Sequence, residues 1–213
     1  MNKLVFFLGP GGAGKTTLAK TIAARRPASV FDMDILLRPA ATAIMTMHGL
    51  DPDDRDSDEY KSLCRDLGYR ITMDAALDNI GLQSDIFVVG PFTKEAADPE
   101  WIGRELSRIG RTLAEVEVKV VMVSLPDAAT FRERLEGRQS PLDAWKFAHW
   151  DEFSASLGSR TVAWPLPASH VAQIDNSHPD RNVAAAAMEA FIYGESSSSA
   201  FLIEKNLPPI IIE

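Results

Sequence analysis

The stretch Gly9-Pro10-Gly11-Gly12-Ala13-Gly14-Lys15-Thr16, set directly after the apolar run Leu4-Val5-Phe6-Phe7-Leu8, constrains this chain more than any other. It satisfies G-x-x-x-x-G-K-[ST] at every fixed position, and it stands between a short strand-like run and a helical pattern that spaces Leu18 and Ile22 four residues apart. Glycines let successive backbone N–H groups turn inward around an anion with no side chain in the way. A helix opening near Lys15 adds the positive end of its dipole. Lys15 is then expected to reach the β- and γ-phosphates and Thr16 to offer its hydroxyl to Mg²⁺. Gly9, Gly11, Gly12, Ala13, Gly14, Lys15, Thr16 and Thr17 form the expected cradle of a nucleoside triphosphate.

A chain of 213 residues with 46% hydrophobic content suffices for one sizeable α/β domain and is short for two. Its formal net charge of −8 disfavours a phosphate backbone as the main partner, so no nucleic-acid role is expected. The single cysteine, Cys64, excludes an intramolecular disulfide and suits a reducing compartment. The first apolar run leads straight into the glycine-rich loop, unlike a signal peptide. No stretch approaches the ~20 apolar residues of a membrane span. A cytoplasmic protein with no membrane partner is the expectation.

Strand-like and helical segments alternate along the chain. The first helix is expected from Lys15 to Arg26, and a second strand over 29–34 that ends in Asp32 and Asp34. Alternation along that strand would put both carboxylates on one face, about 6.6 Å apart. A long helix follows the acidic turn at 51–54, its apolar stripe read as Tyr60, Leu63, Cys64, Leu67, Ile71 and Ala75. Strands are expected at 86–90, 118–125 and 171–175. Asp98-Pro99 and Ser140-Pro141-Leu142-Asp143 read as helix starts, the latter as a capping box, and Asn182 as the cap of a last helix ending at Gly194. Five such alternations imply a three-layer α/β fold, a five-stranded parallel sheet covered by helices on both faces, with ligands outside the carboxyl ends of the strands. The expected organisation is one domain over 1–194, with a lid-like region at about 132–165, then a linker and tail over 195–213. The tail carries Ile210-Ile211-Ile212 behind two prolines and is a candidate for docking on its own domain or on a second subunit.

With its phosphate loop and the Asp32-Met33-Asp34 pair, the chain resembles the small-molecule kinase branch of P-loop proteins. That group includes shikimate kinase, gluconate kinase, chloramphenicol phosphotransferase and the zeta-toxin-like, AAA-type ATP-binding proteins. The resemblance covers roughly residues 1–194, and its most specific part is the phosphate loop. It implies ATP and Mg²⁺ as cofactors and a small-molecule hydroxyl as acceptor. It also implies that Asp32 helps hold the metal beside Thr16, that Asp34 orients or deprotonates the acceptor, and that Arg134 and Arg138 are lid cations, with Arg132 and Lys146 competing for that place. Asp175-Asn176 stands where such kinases hold the adenine. The third strand ends Val88-Val89-Gly90-Pro91-Phe92 without the aspartate that motor and switch NTPases use for Mg²⁺, and N-K-x-D is absent. Both departures favour the kinase branch.

The expected acceptor pocket lies between Asp34, the Met/Ala stretch at 40–47, Arg65 and Arg70 of the long helix, and Phe92, with Gly90 leaving room for the acceptor. Trp145, Trp150 and Trp164 fall in the lid-like region, where they either stack on a ligand or pack the lid onto the core. Two other function classes remain open: a regulatory module that binds ATP without an acceptor, and an end-processing kinase for nucleic acid.

Overall fold

The computed structural model describes residues 3–82, 84–158 and 161–194. The linker and tail at 195–213 lie outside the described residues. Strands β1 (Lys3–Leu8), β2 (Ala28–Asp32), β3 (Asp85–Val89), β4 (Glu117–Ser124) and β5 (Val171–Asp175) pair in parallel in the order β2-β3-β1-β4-β5. Central β1 is apolar throughout after Lys3, as a strand buried on both faces must be. Its side chains divide between two cores. Leu4, Phe6 and Leu8 face one cluster with Met73, Leu77, Ile102 and Leu106. Val5 and Phe7 face another with Leu18, Ile22, Phe131 and Met188. From β1 the chain moves one way to β2, and from β3 it moves the other way to β4. That reversal leaves a crevice beyond the carboxyl end of β1.

The helices are α1 (Lys15–Ala23), α2 (Met33–Met47), α3 (Asp58–Tyr60), α4 (Asp66–Asp78), α5 (Thr93–Ala97), α6 (Trp101–Ser107), α7 (Ala128–Arg138), α8 (Ala144–Ala148), α9 (Trp150–Ala155) and α10 (Arg181–Tyr193). A π-helical turn over Lys61–Arg65 joins α3 to α4. Its extra residue rotates the buried face. Tyr60 is buried before it and Cys64 within it, whereas Tyr69, Met73 and Leu77 are buried after it and Leu67 is exposed. The stripe read through Leu67, Ile71 and Ala75 is therefore corrected, because a constant 3.6-residue period does not survive a π-turn.

One expected strand end and two expected caps are also corrected. The strand read to Asp34 ends at Asp32. The Asp32 carboxylate accepts the N–H groups of Asp34 and Ile35, which starts α2 there and puts Asp34 in its first turn. The capping box at Ser140 does not form; a 3-10 turn (Pro141–Asp143) takes its place, and the Asp143 carboxylate pairs with cations instead. Asp180, not Asn182, caps α10 by accepting the N–H of Asn182.

Candidate active site

The glycine-rich loop leaves β1 at a point where only glycine fits. Gly9 has φ +141°, and a Cβ there would sit 2.1 Å from the carbonyl oxygen of Val123 on β4. Gly14, at φ +89°, is the left-handed N-cap residue of α1, and a Cβ on it would lie 2.4 Å from Asn176 Nδ2. The loop is thereby pressed against β4 and the segment after β5, and its backbone curls at the amino end of α1.

Around this loop opens a cavity of about 1080 Å³. Gly11, Gly12, Gly14, Lys15, Thr16, Thr17, Asp34, Arg134, Arg138, Lys146 and Asn176 all line it. Lys15 Nζ donates to the Pro10 carbonyl at 2.9 Å, arching back over the loop. The Thr16 hydroxyl donates to Asp32 Oδ2 at 2.6 Å, while Asp32 Oδ1 holds the start of α2. Both oxygens of this buried carboxylate are thus engaged, one of them toward the loop.

Asp34 lines the open cavity and is reachable by solvent, yet protein crowds it on the remaining sides. That crowding raises its pKa above the usual carboxylate value; Lys15 opposes the shift and Asp32 adds to it. The side chain stands on the first turn of α2 rather than on a strand.

The arginines expected at the lid differ in their surroundings. Arg134 donates to the carbonyl of Asn176 at 2.8 Å and to that of Ala13 at 3.4 Å, so it braces the loop from behind. Asn176 Nδ2 also donates to the Ala13 carbonyl, at 2.8 Å. Arg138 makes a two-pronged pair with the fully buried Asp143. Lys146, also buried, stands 3.2 Å from Asp143 and donates to Asp56 at 2.6 Å. Its Cε would lie 3.3 Å from a Cβ built on Gly11, so its stem lies against the phosphate loop. Arg132 points away, pairing with Glu136 and lying over the Trp150 ring. The sequence reads Asp143 as a capping-box acid and gives Asp56 no role, because the partner of Asp56, Lys146, lies 90 residues away in sequence.

Several other residues are placed differently from expectation. Asp175 accepts the N–H of Ser177 and does not line the cavity, whereas Asn176 does. Ala41 and Met45 of the Met/Ala stretch are buried against Tyr60 and Cys64, because α2 packs that face inward. Phe92 is fully buried among Phe6, Tyr69 and Trp101, and the bare Cα of Gly90 makes room for its ring, not for an acceptor. Arg70 pairs with Glu105 and Asp74 on the surface of α4, away from the cavity. Trp164 is core, its Nε1 donating to the Glu95 carbonyl, and Trp150 packs against Phe153. Trp145 alone of the three lines the cavity, stacked on His149.

The donors beside the loop suit a hard divalent cation. Thr16 and Asp32 supply oxygen only, and among the described residues no cluster of three or more His, Cys, Asp or Glu side chains forms a metal site. Such a cation would be shared between these oxygens, water and phosphate, the pattern Mg²⁺ prefers.

A glycine-rich phosphate loop at the reversal of a parallel β2-β3-β1-β4-β5 sheet defines a P-loop α/β protein. A family model described as an AAA domain matches residues 4–159, and the chain belongs to that family. No curated protein sequence matches it. Among solved structures it is similar to a sugar kinase from Janibacter sp. HTCC2649, with 15% identity, TM-score 0.57 and coverage of 90% of this chain and 95% of that one. A putative kinase from Chloroflexus aurantiacus J-10-fl aligns at 18% identity and TM-score 0.57, over 92% and 98% of the two chains. Shikimate kinase from Bacteroides thetaiotaomicron aligns at 12% identity and TM-score 0.52, over 89% and 98%. The shared fold is that of the P-loop small-molecule kinases.

Proposed function

We propose that this protein is an ATP-dependent kinase that transfers the γ-phosphoryl group to a hydroxyl of a small molecule. The observation that carries the reading is the single cavity joining the phosphate loop to Asp34 and to the cations of the lid. Phosphoryl transfer asks a protein mainly for alignment and for charge placed where charge develops. In this reading the loop N–H groups and Lys15 hold the β- and γ-phosphates, and Thr16 and Asp32 hold Mg²⁺, which neutralises phosphate charge when bound. Asp34 takes the acceptor proton at its carboxylate. Crowding by the protein raises its pKa, which makes the carboxylate a stronger base than a free aspartate. Arg138 and Lys146 face the same space from the lid and would spread the charge of the transferring group. Arg134 stiffens the loop rather than closing over it.

ADP release measured over a panel of small hydroxyl compounds tests the reading. Acceptor-dependent release that disappears in Lys15→Ala supports it. ATP binding with no acceptor-dependent release across the panel would favour a regulatory module instead. Retention of a labelled oligonucleotide on filters at physiological salt would favour nucleic-acid end processing.

A further inference from the structure

The corner of the lid between α7 and α8 holds a carboxylate that forgoes its ordinary task. Asp143 ends the 3-10 turn and stands at the N-cap position of α8, where an aspartate usually accepts an N–H of the first helical turn. It makes no such cap bond. Its oxygens go to two cations instead. Oδ2 accepts from Arg138 Nε and Oδ1 from Arg138 Nη2, while Lys146 Nζ stands 3.2 Å from Oδ1. Gln139, left-handed at φ +48°, ends α7 directly after Arg138. One acid thus lies between cations from two successive helices.

Asp143 borders the cavity yet exposes none of its surface, whereas the Arg138 side chain is 44% exposed. The acid therefore meets no ligand itself. As a staple it is a poor device, because desolvation of buried charges offsets most of their attraction. What it supplies is geometry. A grip on the Nε–Nη2 edge fixes the plane of the guanidinium, and Nη1 makes no hydrogen bond among the described residues. Lys146 is fixed as firmly, by Asp143, by Asp56 at 2.6 Å and by its stem against Gly11, with the Phe153 ring centroid 6.0 Å from its amine. Arg132 is the internal contrast. On the same helix its acidic partner is the exposed Glu136, and it lines no part of the cavity.

We infer that Asp143 is a positioning residue for phosphoryl transfer, holding Arg138 and Lys146 as one rigid pair whose remaining N–H groups meet the oxygens of the transferring group. What the pair meets rests on the kinase reading, whereas the grip itself does not depend on turnover. The carboxylate offsets part of the positive charge. In return the remainder is fixed where charge develops, with no reorganisation at the moment of transfer.

The first readout needs no acceptor. Calorimetry compares ADP and Mg²⁺ with ADP, Mg²⁺ and aluminium fluoride, which imitates the phosphoryl group in transfer. The fluoride complex is expected to lose about tenfold in affinity in Asp143→Asn and in Arg138→Lys, while ADP alone moves less than about twofold. Arg138→Lys keeps the charge at a half-exposed site but cannot grip two oxygens, so it carries the test if Asp143→Asn fails to fold. The second readout is kcat for acceptor-dependent ADP release. Asp143→Asn should lower it about 30-fold, and adding Arg138→Ala should lower it less than about threefold further, because residues that act as a unit are not additive.

Unchanged affinity for the fluoride complex in Arg138→Lys, or losses that multiply in the double variant, would overturn the positioning role and leave the kinase reading standing. An equal loss for ADP alone would mark a merely structural acid and overturn the role as well. Selective loss of the fluoride complex with no acceptor-dependent release across the panel would support the held pair and overturn the kinase reading alone.

Discussion

At its phosphate end the cavity is walled by backbone, and at its acceptor end by side chains from separate segments. The phosphate end comes from one contiguous stretch pressed against β4 and the β5 loop, with Gly9 and Gly14 at positions no Cβ can occupy. The acceptor end gathers Asp34 and Arg38 from α2, Arg55 and Asp56 from a loop, and Lys61 and Arg65 from a π-turn. Backbone geometry is a requirement that few sequences meet, whereas a side-chain wall can be rebuilt one residue at a time. The first end therefore defines a class of protein, and in the kinase reading the second would set what one member acts on. Lys146 links the two, with its stem against Gly11 and its amine on Asp56.

The contrast is broken most severely at Gly9. Gly9→Ala would drive a methyl carbon into the Val123 carbonyl, and a loss of about 3 kcal/mol or more in chemical denaturation is expected. A variant as stable as the wild type would show that the loop is not held by its backbone. Next comes Lys15→Ala. Turnover should fall on the order of 10³-fold, with weaker binding of the ATP analogue, because the charge nearest the β- and γ-phosphates is removed.

Asp34→Asn sharpens the comparison from the acceptor side. Turnover should fall by ~10² or more while calorimetry finds nucleotide and Mg²⁺ affinity nearly unchanged. The raised pKa of Asp34 carries two signs that can be checked. As a base it must lose its proton, so the acidic fall in kcat should lie above the ordinary carboxylate range and vanish in the variant. For stability, a carboxylate whose folded pKa exceeds its unfolded one favours folding most below the unfolded value. That contribution is lost as pH rises through the folded pKa. At pH 7 Asp34→Asn should then melt no lower than the wild type.

A smaller effect is expected at the lid. Arg138→Ala should lower kcat about tenfold and leave the KM for ATP within about threefold, as steady-state kinetics would show, because the guanidinium acts on charge that develops during transfer. The smallest belongs to Asp175. Because its carboxylate caps Ser177, Asp175→Ala should change the affinity for the ATP analogue by about twofold at most. A larger loss would return Asp175 to the nucleotide site.

The phosphate loop, the five strands and the pairing of apolar faces with helices were legible in the chain alone. Each depends on neighbours a few residues away, through backbone φ, side-chain alternation or helical period. For the same reason Lys15 and Thr16 were placed without a structure, as were Arg134 and Arg138 on one face of α7. Tertiary structure alone decided the rest. Asp32 ends β2 and caps α2 because its carboxylate finds the N–H groups of Asp34 and Ile35, a competition that alternation cannot express. Asp143 reads as a capping-box acid but is drawn to Arg138 and Lys146, since a buried carboxylate gains more from two cations than from one amide. Gly90 serves the Phe92 ring, and Trp164 belongs to the core under α6. The π-turn that turns Lys61 and Arg65 toward the cavity has no local signature. It adds one residue to a helix, and only packing against α2 and the sheet settles which face is then buried. Sequence thus determined the phosphate loop, where geometry is local, and tertiary structure decided the opposite wall of the cavity, whose side chains come from separate segments.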